Sequence, residues 1–122
     1  MTYKMYCVVS KEALQKMKGV RGKMMTQSGH AYLHAFWDAE KRFPADAATY
    51  KNSEHAYKIT LVVDTDQELT TLHESYKLIS GVSLVQDAGF TVFNGPTVTC
   101  LGIGPIDVQL VNDDLKGLKL LT

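Results

Sequence analysis

The stretch "RGKMMTQSGHAYLHAFW", Arg21 to Trp37, places Lys23, Gln27, His30 and His34 at successive spacings of four, three and four residues. On a helix this lines up an ammonium, an amide and two imidazoles on one face. Such a face is either a solvated surface or one wall of a site. A second candidate lies much further along the chain. "VSLVQ" reads as a strand ending at Gln86, so Asp87 stands just beyond its carboxyl end, followed by Ala88 and Gly89. Ligands collect at that end of strands in open α/β sheets. A carboxylate there either caps the turn or takes part in chemistry. Thr91 follows in the same loop, and Thr97 and Thr99 alternate onto one face of the next strand, where threonine is also simply a good β-former.

Several chemistries are excluded. No serine sits in a glycine-flanked elbow, and neither Cys7 nor Cys100 has an activating context. His30, His34, His55 and His73 form no HExxH pattern, and the i, i+4 relation of His30 and His34 is a weak signal alone. The cysteines lack metal-ligand spacing, so no metal is expected. Glycine spacing gives neither a phosphate loop nor a dinucleotide fingerprint: "GIGP" lacks the glycine and helix that must follow. No cofactor is expected either.

The elements that must position these residues follow from periodicity and punctuation. "YKMYCVV" (Tyr3 to Val9) predicts a buried strand, with Ser10 as N-cap of a short helical turn at "KEALQKM". "KGVRG" leads to a helix from Lys23 to Arg42, stopped before Pro44 because the residue preceding proline is driven out of helical geometry. Its buried stripe is expected to contain Met24, Met25, Ala31, Tyr32, Ala35 and Phe36, with Lys23, Gln27, His30 and His34 beside it. "FPADAATYKNSEHAY" is turn-rich with one loose helical turn. Tyr57 to Val63 is a second strand, Asp66 to Ile79 a helix capped by Asp64 or Thr65, and Gly81 its end. "VSLVQ" and "TVTCLGIG" are the third and fourth strands, and Pro105 opens the last helical turns. Strands alternating with helices predict a layered α/β fold with a largely parallel sheet.

The chain has 122 residues, 45% of them apolar and 21% charged, enough for one domain, residues 1–122, with a core that needs no metal or disulfide. Thirteen basic residues balance 13 acidic ones, which excludes a globally basic nucleic-acid binder. A local basic edge remains at Lys11, Lys16, Lys18, Arg21 and Lys23, opposed only by Glu12. It is either a solvated loop or a patch for a phosphate backbone. No apolar run is long enough for a membrane span or a signal peptide, so a soluble, cytoplasmic protein with free core thiols at Cys7 and Cys100 is expected.

Taken together the motifs resemble a known family. Gly22-Lys23, then Gln27, then Gly29-His30-Ala31 is similar to the GK-x-x-x-Q-x-x-HA signature of the type II peptidyl-tRNA hydrolases, the archaeal and eukaryotic kind. "VSLVQDAGFTVFNGPTVTCLGIGP" resembles their second signature, a strand leading into DAG-x-T and then a threonine-bearing strand. The closing "LKLL" looks like their C-terminus. The resemblance implies a three-layer α/β/α sandwich on a four-stranded mixed sheet, and hydrolysis of the ester between a peptide and the 3′ ribose of tRNA. It implies Lys23, Asp87, Thr91 and Thr99 as catalytic residues, with Gln27 and His30, which match the helix signature, and Phe90 as substrate-binding residues. Lys18 and Arg21 would help hold the tRNA backbone. Peptidyl-tRNA is then the partner, with no membrane and no cofactor, and a homodimer is a further expectation.

Several departures accompany the match, among them the reversed order of glycine and proline in Asn94-Gly95-Pro96 and His55-Ala56-Tyr57 in place of a glycine-rich lead to the second strand. Phe90 stands where the family usually has arginine, and Val92 where it usually has glutamine. An aromatic at 90 cannot pair with phosphate but can stack on a base such as the terminal adenine. Met24-Met25-Thr26 replaces smaller and branched residues. The alternative reading is an inactive module of the same fold that engages a small ligand or protein partner through the Phe90–Phe93 edge.

Overall fold

The apolar run at the N-terminus becomes the middle of the sheet. In the computed structural model, which describes residues 1–87 and 97–122, β1 (Tyr3–Ser10) is buried from Met5 onward. Around it come α1 (Lys11–Met17), α2 (Arg21–Arg42), α3 (Pro44–Lys51), β2 (Lys58–Val63), α4 (Asp66–Tyr76), β3 (Val82–Asp87), β4 (Thr97–Asp107), a 3₁₀ turn at Val108–Leu110, α5 (Asp113–Lys116) and β5 (Lys119–Leu120). The expected caps are present. Ser10 Oγ accepts from the Ala13 N–H at 3.0 Å and Thr65 Oγ1 from the Glu68 N–H at 3.3 Å. Pro44 ends α2 and, because its missing N–H is no loss at a helix start, opens α3. The segment read as one loose turn is therefore a full short helix.

The sheet corrects the sequence reading. It has five strands in the order β3-β4-β1-β2-β5, not four, and it is mostly antiparallel. Among the described residues only β1 and β2 pair in parallel; β1–β4, β3–β4 and β2–β5 are antiparallel. The reason lies in connection length. A parallel neighbour needs a crossover of a dozen or more residues, usually a helix. α1 to α3 provide one between β1 and β2, but only Ala88 to Pro96 separate β3 from β4. The chain must return antiparallel, and by inserting between β1 and β3 it makes two antiparallel pairs at once. The strand β5, only two residues long, carries too little pattern to be read from sequence.

β4 also runs further than expected. Pro105 opens no helix; it lies within β4, where the register with β1 shifts between Lys4 and Tyr6. A bulge leaves a ladder position unpaired, so a residue with no N–H is tolerated there.

Helices cover both faces. On one, Tyr6, Val8, Leu61, Leu101 and Ile103 pack with Leu69, Leu72 and Tyr76 of α4. On the other, Cys7, Val9, Val85 and Cys100 pack against Ala31, and Met5 against Ala35 and Tyr50. The stripe of α2 that meets the sheet is Gln27, Ala31, Ala35 and Ala39. This differs from the expected stripe: Met25 is 76% exposed, and Gln27 is buried. Small residues face the sheet because the helix lies very close to it. A Cβ built on Gly102 would stand 2.0 Å from the Ala31 carbonyl oxygen, and one on Gly81 2.5 Å from that of Ala35. At the far end Asp38 fixes the same helix to β3. Its Oδ2 accepts from the Val82 N–H at 2.9 Å, and Arg42 holds its carboxyl below the usual range.

Gly102→Ala should therefore force α2 off the sheet and cost at least about 3 kcal/mol, the upper range for an overpacked core. A denaturation midpoint close to that of the unsubstituted protein would contradict this contact.

Candidate active site

The small-residue stripe brings the first turns of α2 against the carboxyl end of β3 and the start of β4. Lys23, in the first turn, and Gln27, one turn on, face the sheet end. Asp87 is the last residue of β3, one position earlier relative to the strand end than expected, and shares with Val85 the face turned to α2. Its carboxylate is 6% exposed and ion-paired with the Lys23 ammonium. The same oxygen, Oδ2, accepts from Gln27 Nε2 at 3.2 Å. The positive end of the α2 dipole adds to the attraction, since Asp87 meets the helix in its opening turns.

The Gln27 amide has a forced direction. A carboxylate only accepts, so the NH₂ group faces Asp87 and the carbonyl oxygen faces away from it. There Oε1 lies 3.1 Å from Thr99 Oγ1, which donates to it. Thr99 is fully buried. The result is a directed chain: Thr99 hydroxyl to Gln27 amide to Asp87 carboxylate, with the Lys23 ammonium on the same carboxylate.

A β-bulge builds the Thr99 end of this chain. Val85 pairs with Cys100 and Gln86 with Val98, so Thr99 has no opposite residue on β3. In a regular strand Thr99 and Cys100 would point to opposite faces. Here both reach α2, because Cys100 Sγ donates to the backbone carbonyl of Gln27 at 3.3 Å. Bulges beside sites commonly re-aim a side chain in this way. The Cys7 sulfur and burial hold the Cys100 thiol well above its ordinary range. It stays protonated and serves as a donor, not a nucleophile. Both cysteines are free and buried, as expected.

Of the residues singled out in the sequence, the structure thus joins Lys23, Asp87, Gln27 and Thr99. Lys18 ends α1 in a left-handed conformation and Arg21 opens α2; both are exposed at the edge of this corner. His30 and His34 lie on the outer face of α2, exposed, in ring contact with each other rather than with the carboxylate. Thr91 and Phe90, with Phe93, lie outside the described residues. Cys100 and Trp37 were not singled out. A thiol donating to a helix carbonyl leaves no sequence signal, whereas Trp37 could have been found by its three-residue spacing from His34.

Chemically, the site presents a partly exposed cation on a nearly dry anion. The Lys23 side chain is 18% exposed and its partner 6%, so the ammonium is the more accessible member of the pair. Pairing with Asp87 uses one of its three hydrogens. The others can face an oxygen that gains negative charge.

A family model described as "Peptidyl-tRNA hydrolase PTH2" matches residues 3–121. The chain is 35% identical over 107 residues to a peptidyl-tRNA hydrolase of Methanococcus vannielii, covering 86% of this chain and 90% of that protein. It is 35% identical over 107 residues to that of Methanothermobacter thermautotrophicus, covering 86% and 91%. The mouse "Peptidyl-tRNA hydrolase 2, mitochondrial" is 31% identical over 118 residues, 97% of this chain and 63% of that protein.

Thr99→Val keeps the shape of the side chain but leaves the buried Gln27 oxygen without its donor. That should cost about 1–3 kcal/mol of stability, with Thr99→Ser restoring most of it. Equal denaturation curves for the valine variant and the unsubstituted protein would remove Thr99 from the chain of hydrogen bonds.

Proposed function

The chain belongs to the peptidyl-tRNA hydrolase family, and on that footing we propose that it cleaves the ester between a peptide and the 3′ ribose of tRNA at the Lys23–Asp87 pair. The observation that carries this reading is the pair itself: a nearly dry carboxylate holding a partly exposed ammonium at the carboxyl end of β3, braced by Gln27. Ester hydrolysis needs a placed water, an acceptor for its proton and stabilisation of the oxyanion that forms when water adds.

Lys23 supplies the positive charge. As water adds to the ester carbonyl, that oxygen becomes negative beside an ammonium whose direction is already fixed by Asp87. Such preorganised charge is worth more in a site with little water than in bulk. Asp87 takes the proton of the attacking water and, as the tetrahedral intermediate collapses, gives it to the ribose 3′ oxygen as that oxygen leaves. Lys23 remains charged throughout. Gln27 and Thr99 touch neither substrate atom in this scheme and act as positioning residues, holding the carboxylate in register. Thr91 belongs to the same reading as a hydroxyl for water or ribose, and Phe90 as a stacking partner for a base. With an ammonium doing the work of a Lewis acid, the reaction requires no metal.

Lys18 and Arg21, exposed where α1 gives way to α2, suit contacts to phosphates. No helix among the described residues is long and apolar enough to cross a membrane. On this reading the enzyme works beside the translation machinery, in the cytoplasm. The alternative of an inactive binding module is not favoured, because the ion pair that the chemistry requires is intact.

Turnover of N-blocked aminoacyl-tRNA in excess EDTA tests the reading. The unsubstituted protein should cleave the ester as fast as without chelator. Lys23→Ala and Asp87→Asn should each lower kcat by at least about 10²-fold, the scale of losing one oxyanion-stabilising group. Thermal unfolding should show that both variants remain folded. A folded, unsubstituted protein with no turnover would overturn the assignment.

A further inference from the structure

The face of α2 that bears Lys23 continues outward from the site as a row of rings. His30 and His34 have centroids 5.5 Å apart, and His34 and Trp37 5.4 Å apart with planes inclined by 20°. Trp37 is 49% exposed and both histidines are exposed. The spacings of four and three residues keep the rings on one stripe, and Lys41, exposed, follows one turn after Trp37 on the same stripe. Lys23 and Lys41 are 18 residues apart, about five turns, so they bracket the rings in the same angular position. Of the two acids of this helix, Asp38 is held by Arg42 and the Val82 N–H, and Glu40, three residues after Trp37, is exposed.

A surface of exposed planar rings between two cations, with His34 and Trp37 stacked and His30 tilted 50° to His34, suits a ligand with flat π faces and negative charges between them. That is a short run of unpaired nucleotides. Base–aromatic stacking tolerates any base, since every base has a π face. From His30 to Trp37 the ladder spans about 10 Å of helix axis, room for about three bases at the roughly 3.4 Å spacing of stacked nucleotides. It begins one turn beyond Gln27, so it is continuous with the site and leads away from it.

We propose that His30, His34 and Trp37 form a stacking platform for the unpaired 3′-terminal nucleotides of the tRNA while its ester is held at Lys23 and Asp87. The proposal rests on the hydrolase reading above and adds what that reading does not assign, a track for the RNA arm of the substrate along the outer face of α2. The platform binds bases without regard to sequence, whereas exposed Lys18 and Arg21 would act on phosphates.

Trp37 is the chain's one tryptophan, so its fluorescence reports the platform directly. Deacylated tRNA should quench it in the unsubstituted protein, and tRNA trimmed of its unpaired 3′ nucleotides should not. The His34→Ala/Trp37→Ala protein should show KM for N-blocked aminoacyl-tRNA raised at least about 5-fold, up to about 150-fold if one base loses its full stacking. Its kcat should stay within about twofold, and Trp37→Phe should keep most of the affinity. Turnover with unquenched Trp37 and unchanged KM would overturn the platform and leave the hydrolase reading standing. Quenching by trimmed tRNA equal to that by intact tRNA would also overturn it. Absence of turnover by the folded, unsubstituted protein would overturn the hydrolase reading, and the platform with it.

Discussion

How closely α2 can lie on the sheet decides everything at its N-terminal end. The contact of Ala31, Ala35 and Ala39 with Gly102 and Gly81 leaves no room for a single added methyl group at either glycine. That closeness brings Gln27, in line with the alanines, down to the level of the strands, and lets the next turn outward deliver Lys23 to the tip of β3. A helix held one side chain further away would leave Asp87 facing water. The clamp of Asp38 on Val82 fixes the opposite end, so the helix can neither tilt nor slide along β3 without breaking a hydrogen bond.

Burying the resulting ion pair is not a gain in stability by itself. Removing two charges from water costs several kcal/mol for each ion, and attraction between them offsets this only with good geometry and further hydrogen bonds. The protein supplies those bonds from Gln27 and, behind it, Thr99. It also leaves part of the lysine in contact with solvent, which lowers the cost and keeps the cation available. A buried salt bridge is weak evidence for stability, which fits the role proposed for this pair. The bulge at Thr99 fits the same account, because a regular β4 would have turned that hydroxyl to the other face of the sheet.

Much of the site was legible in the sequence and much of the fold around it was not. Lys23 and Asp87 could be found because each sits at a punctuated place, a glycine-led helix start and a strand end. Gln27 was placed on the correct helix but with the polar face, since periodicity alone cannot tell an amide that closes a hydrogen-bond chain from one that faces water. The direction of β4 does not follow from the sequence pattern, because alternation of strands and helices suggests parallel neighbours, while the deciding fact is the short link after Asp87. The bulge that aligns Thr99 with Cys100 depends on pairing across strands, and no local pattern encodes it. Caps at Ser10 and Thr65 were readable because they are local chemistry.

The central claim is that Lys23 and Asp87 act as one unit. A double-mutant cycle on turnover of N-blocked aminoacyl-tRNA tests this most directly, comparing Lys23→Ala, Asp87→Ala and the double variant. Groups that act as a unit are strongly non-additive. The account predicts that the double variant loses about as much kcat/KM as either single variant. Losses that multiply, so that the double variant falls by the product of the two single effects, would show that the residues work independently and would contradict it.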